Sequence, residues 1–358
     1  MSASPPNQFD LFFDGDELYE RMLASIAAAT ERVRFETYIF ADDEIGRRFA
    51  RALIDRARHG VTVQLHVDAA GSLFLGTHRL IRILQKENVQ VRWFHRWSWR
   101  QPLRYNRRNH RKLLVIDRDE AFLGGFNIHR ENSRHLVGDQ CWRDSHVAIR
   151  GPLCVEAAML FDEFWERRRR WKFNRYGGRM RLMSNHTRQC RHMMRSLYVQ
   201  SFYQARQSIH ITTPYFVPDH VTQQALVDAA RRGVEVRLLL PAKTDVSLVR
   251  WASHAVYDRL LEAGVRIYEY QPRILHAKSV VIDGGWAVIG TANLDYRSMF
   301  VNYELILIMA EPALCAELEQ QFAVDLQQAA NVVDLHWADR PLLHHVAEMI
   351  GWLGRRWL

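Results

Sequence analysis

Acidic residues are the scarcer charge in this chain. Its 358 residues hold 40 Asp and Glu against 49 Lys and Arg, a formal charge of +9 with a pI of about 9.6. That balance points to an anionic partner: nucleic acid, lipid headgroups or a phosphorylated substrate. Cysteine is rarer. The four present (Cys141, Cys154, Cys190 and Cys315) form no C-x-x-C and no close pair. This argues against a zinc framework and suggests reduced thiols of a cytosolic protein. Residues 1–8, "MSASPPNQ", lack the basic and apolar regions of a signal peptide. No apolar run approaches the ~18–20 residues that span a bilayer; runs such as "LILIMA" have strand length. What is present, 48% hydrophobic and 25% charged residues, is a globular composition, and the length suits two domains.

The chain is written twice. "NHRKLLVIDRDEAFLGGFN" (109–127) and "LHAKSVVIDGGWAVIGTAN" (275–293) share His-x-Lys, an Asp five residues after the Lys, then Gly and Asn. The likeness spreads outward. "ERVRFETYIF" (31–40) matches "QSIHITTPYF" (207–216), "ALIDRARHGVTVQLHVD" (52–68) matches "ALVDAARRGVEVRLLLP" (225–241), and "LQKENVQVRWFH" (84–95) matches "LLEAGVRIYEY" (260–270). Amphipathic helices, Gly stops and apolar strands alternate in each half. This predicts an α/β sandwich with a largely parallel or mixed sheet, duplicated. Two long copies mean paired domains, since a solenoid needs several short ones. The expected plan is a first domain at 8–166, a basic linker at 167–185 around "RRRRWKFNRYGG", a second domain at 186–340 and a tail at 341–358. An insert of about ten residues, "RWSWRQPLRYNRR" (96–108), precedes the first motif. Trp97, Trp99, Arg100 and Arg104 within it are candidates for the rim of a site.

Read as a strand, "HRKLLVID" projects His110 and Lys112 from one face, and the second copy does the same with His276 and Lys278. Asn127 and Asn293 follow a second strand and a glycine (Gly124 and Gly290), where backbone can approach a ligand. If the halves pack about a pseudo-twofold axis, two His, two Lys and two Asn converge on one site at the interface. Such a set suits a phosphodiester. It is a poor metal site, because no carboxylate cluster accompanies it. One imidazole can attack phosphorus while the other protonates the leaving alkoxide and then deprotonates the incoming alcohol or water. Lys and Asn would steady the non-bridging oxygens. Each imidazole needs its far nitrogen held by an acceptor. Asp144 in "WRDSHVAI" and Glu304 in "NYELILIM" occupy equivalent places and are the candidates. Asp117 and Asp283 are expected to bond backbone or Lys near a turn.

These residues resemble the repeated signature of the phospholipase D superfamily: His110, Lys112, Asp117, Gly124 and Asn127 in one copy, His276, Lys278, Asp283, Gly290 and Asn293 in the other. The small residue after the glycine, commonly Ser in that family, is Gly125 here in one half and Thr291 in the other, which makes the halves unequal. Within the superfamily, "FETYIF", "GGFNI", "WRDSHVAIRGP", "TTPYFVP" and "GTANLDYRSMFVNYEL" look like the bacterial cardiolipin synthases, in their short form without two N-terminal transmembrane helices. The resemblance implies two phospholipase D-type α/β/α domains sharing one active site. It implies transfer of a phosphatidyl group through a phosphohistidine, on His110 by the family's usual assignment, to phosphatidylglycerol, with neither metal nor other cofactor. Phosphatidylethanolamine is an alternative donor. The expected partner is an anionic membrane surface, at the cytoplasmic face of the bacterial inner membrane, and not nucleic acid.

Two rival activities share the same residues: a hydrolytic phospholipase D, and a nuclease or other phosphodiesterase drawing on the Arg- and Trp-rich segments. The tail "RPLLHHVAEMIGWLGRRWL" reads as an amphipathic helix started by Pro341. Leu342, Val346, Met349, Leu353 and Trp357 form its apolar stripe, widened by Leu343 and Ile350, with His344, His345, Glu348, Arg355 and Arg356 opposite. It either packs on the second domain or lies in a membrane interface.

Overall fold

The structure is a computed structural model. It describes residues 7–72, 75–96, 99–100, 105–166, 180–244, 247–333, 337, 348–349, 351 and 354. The first half holds β1 (Gln8–Phe12), β2 (Arg32–Thr37), β3 (Thr62–Asp68), β4 (Gln90–Phe94), β5 (Leu113–Ile116), β6 (Glu120–Gly124) and β7 (His146–Arg150). The second holds β8 (Met180–Ser184), β9 (Ser208–Thr212), β10 (Phe216–Val217), β11 (Glu235–Pro241), β12 (Arg266–Tyr270), β13 (Ser279–Ile282), β14 (Trp286–Gly290), β15 (Leu294–Asp295), β16 (Leu305–Met309) and β17 (Ala329–Asn331). The sheet orders are β1-β7-β6-β5-β2-β3-β4 and β17-β12-β11-β9-β13-β14-β16-β8. Apart from β17 they superpose strand for strand: three parallel strands on one side, antiparallel ones on the other.

Local sequence makes the repeated units. Asp43 caps the helix Glu44–Arg58 by accepting from Gly46 N at 2.9 Å, and Ile45, Phe49 and Leu53 bury one stripe of it. Gly60 then takes a positive φ of 84° and releases the chain into β3. In the second half Asp219 caps the helix His220–Arg231, and Gly233, φ 88°, releases the chain into β11.

Strand alternation sorts the core. In β5, Leu114 and Ile116 join the core of the first half, while Leu113 and Val115 face the other way. In β16, Ile306 and Ile308 join the core of the second half, while Leu305, Leu307 and Met309 turn away. The residues that turn away meet in a shared core between the two sheets, closed by the helices Leu153–Trp165 and Pro312–Leu326. A fully buried Leu, Val or Ile is worth about 1.5–3 kcal/mol. A face lined with them makes the halves one unit, not two beads on a linker.

Two expectations are corrected. The linker drawn at 167–185 reaches too far: Met180–Ser184 is β8, paired antiparallel with β16 as β1 is with β7. Its Leu182 enters the shared core and Met183 the second, so this stretch alternates like a strand, and its arginines masked the pattern. Residues 167–179 lie outside those described. Of the tail, only 348, 349, 351 and 354 are described. Glu348 is buried and Met349 is 58% exposed, the reverse of the expected stripe. Gly351 lies against Trp251 and Ala252, so close that a Cβ would fall 2.6 Å from Ala252 N. At that point the tail packs on the second domain. Among the described residues no helix is long and apolar enough to cross a membrane.

Candidate active site

The strand expected over "HRKLLVID" starts only at Leu113. His110, Arg111 and Lys112 precede it in an extended segment whose backbone pairs with the other half. His110 N donates to Tyr303 O at 2.9 Å, and Tyr303 N donates to Arg108 O at 2.8 Å. The second copy reciprocates: His276 N donates to Arg143 O at 2.7 Å, and Arg143 N to Ile274 O at 2.9 Å. Tyr303 and Arg143 immediately precede Glu304 and Asp144. Each histidine segment is therefore laid beside the carboxylate of the opposite half.

The pairs that form are crossed. His110 Nδ1 donates to Glu304 Oε2 at 3.1 Å, with the Thr291 carbonyl at 3.2 Å. Because both partners accept, Nδ1 carries the hydrogen and Nε2 is left with its lone pair. His276 Nδ1 meets Asp144 Oδ2 at 2.5 Å. Lys278 Nζ stands 2.7 Å from the same nitrogen and donates to the His276 carbonyl. Lys112 Nζ donates to the His110 carbonyl at 2.9 Å. All six groups are buried.

Burial, with the Lys112 charge beside it, lowers His110 to about 4, so its imidazole is neutral at neutral pH. His276 is lowered by burial and by Lys278. Burial and Lys278 bring Lys112 down to about 7. The Lys278 charge that helps to depress Lys112 marks a space best filled by an anion. Asp144 stays below the usual carboxylate range: burial would raise it, but Lys278 and His276 outweigh that.

The asparagines are not equivalent donors. Asn127 Oδ1 accepts from Ile39 N at 3.1 Å, which leaves its amide NH₂ for a ligand. Asn293 Nδ2 already spends one of its two hydrogens on Asp295 Oδ2 at 3.2 Å, and its Oδ1 is buried without a partner. The glycines let the chain beside them approach closely. A Cβ on Gly124 would stand 2.5 Å from His146 Cα, and one on Gly290 2.5 Å from Leu305 O, the neighbouring strand in each case. Asp117 and Asp283 sit at the far end of their strands, at φ 53° and 51°. Asp117 accepts from the backbone N–H of Thr30, Glu31 and Arg32 at 2.7–2.9 Å, and Asp283 from those of Arg206, Gln207 and Ser208 at 2.7–3.2 Å. The backbone amides hold both below their ordinary range against the opposing effect of burial.

Of the rim candidates, Trp99 is exposed with the Arg100 guanidinium 5.2 Å from its ring centre; Trp97 and Arg104 lie outside the described residues. Sequence reasoning missed two aromatic walls. The Tyr38 ring meets His110 edge-on at 5.1 Å, and the Trp142 ring lies 5.3 Å from His276. Both sit inside stretches that carry the family resemblance, "FETYIF" and "WRDSHVAIRGP", which was the available signal. Among the described residues no three His, Cys, Asp or Glu are grouped as a metal would require.

Residues 22–152 and 198–326, one segment in each half, match the family described as "Cardiolipin synthase, PLD-like domain". The chain belongs to that family. It is 32% identical over 362 residues to a cardiolipin synthase of Clostridium perfringens, covering 96% of this chain and 75% of that one. A cardiolipin synthase A of Pseudomonas fluorescens is 33% identical over 341 residues, 93% of this chain and 71% of that one. Family membership makes the protein an enzyme, a phosphatidyltransferase of the phospholipase D superfamily. Among solved structures, the phosphatidylserine synthase of Haemophilus influenzae superposes with a TM-score of 0.71 at 13% identity, over 97% of this chain and 92% of that one. The polyphosphate kinase of Porphyromonas gingivalis gives 0.65, also at 13%, over 91% and 48%. These two likenesses speak to the fold alone.

Proposed function

We propose that the protein makes cardiolipin by moving a phosphatidyl group from one phosphatidylglycerol, through His110, to a hydroxyl of a second. The observation that carries this is the crossed pairing of each imidazole with a carboxylate of the opposite half, with a buried lysine beside each histidine. Nε2 of His110 attacks phosphorus, the bond to the glycerol oxygen breaks, and the departing oxygen takes a proton from His276. The entering phosphodiester anion favours the protonated forms of His276 and Lys112, against the burial that opposes them. In the second step His276 takes the proton of the acceptor hydroxyl. The new oxygen–phosphorus bond forms, the nitrogen–phosphorus bond breaks, and His110 is restored. Glu304 and Asp144 keep each Nδ1–H in place. Lys112, Lys278 and the Asn127 amide meet the charge on the non-bridging oxygens. The protein acts at an anionic membrane surface as a peripheral enzyme, at the cytoplasmic face, and its net charge of +9 favours that attachment.

The test is incubation with phosphatidylglycerol vesicles, with phosphatidylethanolamine added in a parallel arm and EDTA in another. Cardiolipin and free glycerol should appear, with EDTA leaving the rate within a few-fold. Phosphatidate alone would mean that water is the acceptor and the enzyme a phospholipase. Cleavage of single-stranded DNA without lipid turnover would mean a nuclease.

A further inference from the structure

The two histidine segments rest on different foundations. Beneath His110 the foundation is polar. Asp68, at the end of β3, accepts from Asn109 N at 2.8 Å and lies 3.5 Å from Arg108 Nη1. Glu36, on the adjacent β2, accepts from Asn109 Nδ2 at 3.2 Å and pairs with Arg111 Nε at 3.1 Å. Residues 108, 109 and 111, on both sides of His110, are thus held by two carboxylates that are themselves fully buried. Sheet register identifies the counterparts in the second half. Glu36 lies opposite Leu113 as Thr212 lies opposite Ser279, and Asp68 corresponds to Pro241. Asn109 and Arg111 correspond to Leu275 and Ala277, which sit in an apolar cluster with Leu239, Tyr270 and Phe322.

We infer that Glu36 and Asp68 are positioning residues for His110, fixing the segment that carries it and leaving His276 alone. Buried ion pairs rarely stabilise a fold more than apolar packing of the same volume. At the positions equivalent to Glu36, Asn109 and Arg111 this protein manages without a buried carboxylate, with the Arg143–Asp325 pair standing alongside. Stability alone therefore gives no reason to keep two desolvated carboxylates under one histidine. A rigid, directional grip does, because a reacting nitrogen displaced by about 1 Å loses on the order of 10²-fold in rate. Asn109 also ties the two halves: its backbone bridges to Tyr303, next to Glu304.

This rests on the proposed reaction, so one readout is independent of turnover. Variants Glu36→Gln and Asp68→Asn remove the charge and keep the shape. The pair Glu36→Thr with Arg111→Ala installs the residues of the second half and leaves no buried charge unpaired. Asp325→Asn is the comparator, because Asp325 pairs with Arg143 at 2.7 Å beside the other histidine. Imidazole ¹⁵N spectra of all four proteins are recorded first, and those with a thermal midpoint within a few degrees of wild type go on to kinetics. An activated phosphatidyl ester whose leaving group needs no acid reads the nucleophilic step. Phosphatidylglycerol reads both steps.

In the Glu36 and Asp68 variants the His110 resonances should move while those of His276 stay. Whichever step His110→Ala abolishes should slow by about 10–100-fold. Asp325→Asn should do the converse. The inference is overturned if the Glu36→Thr, Arg111→Ala protein folds with unmoved His110 resonances and wild-type rates. It is equally overturned if the Glu36 and Asp325 variants share one spectral and kinetic profile. A wild-type protein that turned over no lipid would sink the proposed function, while the spectra would still decide the positioning.

Discussion

The two halves present the same imidazole, ammonium and carboxylate to one place, yet they hold them differently. His110 is tied to Glu304 at 3.1 Å, and Glu304 is itself shared with the hydroxyls of Thr291 at 2.6 Å and Ser298 at 3.0 Å. His276 is tied to Asp144 at 2.5 Å, and Asp144 takes its remaining support from Ser145 N at 2.8 Å and Lys278 at 3.8 Å. The shorter carboxylate needs room. A Cβ at residue 125 would stand 1.9 Å from Asp144 Oδ1, so Gly125 admits the Asp where Thr291 braces the Glu. Duplication has kept the reacting groups and altered their supports. A histidine whose acceptor is bound closely by few groups and one whose acceptor is divided among hydroxyls are suited to unequal tasks.

The largest expected effect removes either reacting group. His110→Ala and His276→Ala should each lower cardiolipin formation by on the order of 10³-fold or more, measured with labelled phosphatidylglycerol. Near-normal activity in either would end the idea of one site built from two halves. Next comes an exchange of the small residues. Gly125→Thr should push Asp144 off His276 and cost about 10–100-fold in turnover. Thr291→Gly removes one hydroxyl from Glu304 and should cost only a few-fold, on the scale of a single hydrogen bond of about 0.5–1.5 kcal/mol. Equal losses would mean that the asymmetry has no consequence.

A third prediction concerns pH. His110 and His186 are lowered to about 4, and His129 and His146 to about 3, chiefly by burial. Each is neutral in the fold and takes up a proton more readily when unfolded. Their contribution to stability is present above the unfolded value of about 6.5 and is lost as pH falls from there toward 4 and 3. The thermal midpoint should fall steeply between pH 6.5 and 4 in dilute buffer, and a flat profile would contradict the burial. The smallest effect lies where the halves agree. Asp117→Asn and Asp283→Asn should each cost about 1–3 kcal/mol of stability, read by denaturant titration, with turnover of the surviving folded protein little changed. A loss of turnover in one alone would reveal an asymmetry that the geometry lacks.

Much of this arrangement was legible in the sequence because a duplicated pattern reports on itself. The paired motifs, the alternating strands, and Asp144 and Glu304 just before the next apolar strand of each half all follow from period and position. The crossing of the pairs was not legible, since it depends on how the sheets dock through Leu113, Val115, Leu305 and Leu307, and residues that face a partner look like any strand interior. The polar foundation of His110 escaped for a related reason. Glu36 and Asp68 lie in strands whose apolar neighbours dominate the pattern, and only tertiary packing brings them under Asn109 and Arg111. The strand β8 was hidden by the arginines around it. The two motif glycines read as structural positions, but sequence could not tell close approach by a substrate from the close approach by the next strand that glycine allows here.

The most direct test of the central claim, two halves making one site with one nucleophile and one acid, is trapping. An activated, labelled phosphatidyl ester is mixed with the His276→Ala and His110→Ala proteins, quenched under alkaline conditions, and mapped by peptide. The account predicts acid-labile label on His110 in the His276→Ala protein and none in the His110→Ala protein. Label on His276 in the His110→Ala protein would reverse the two roles. Label on both histidines, or on neither while product still forms, would contradict the shared site itself.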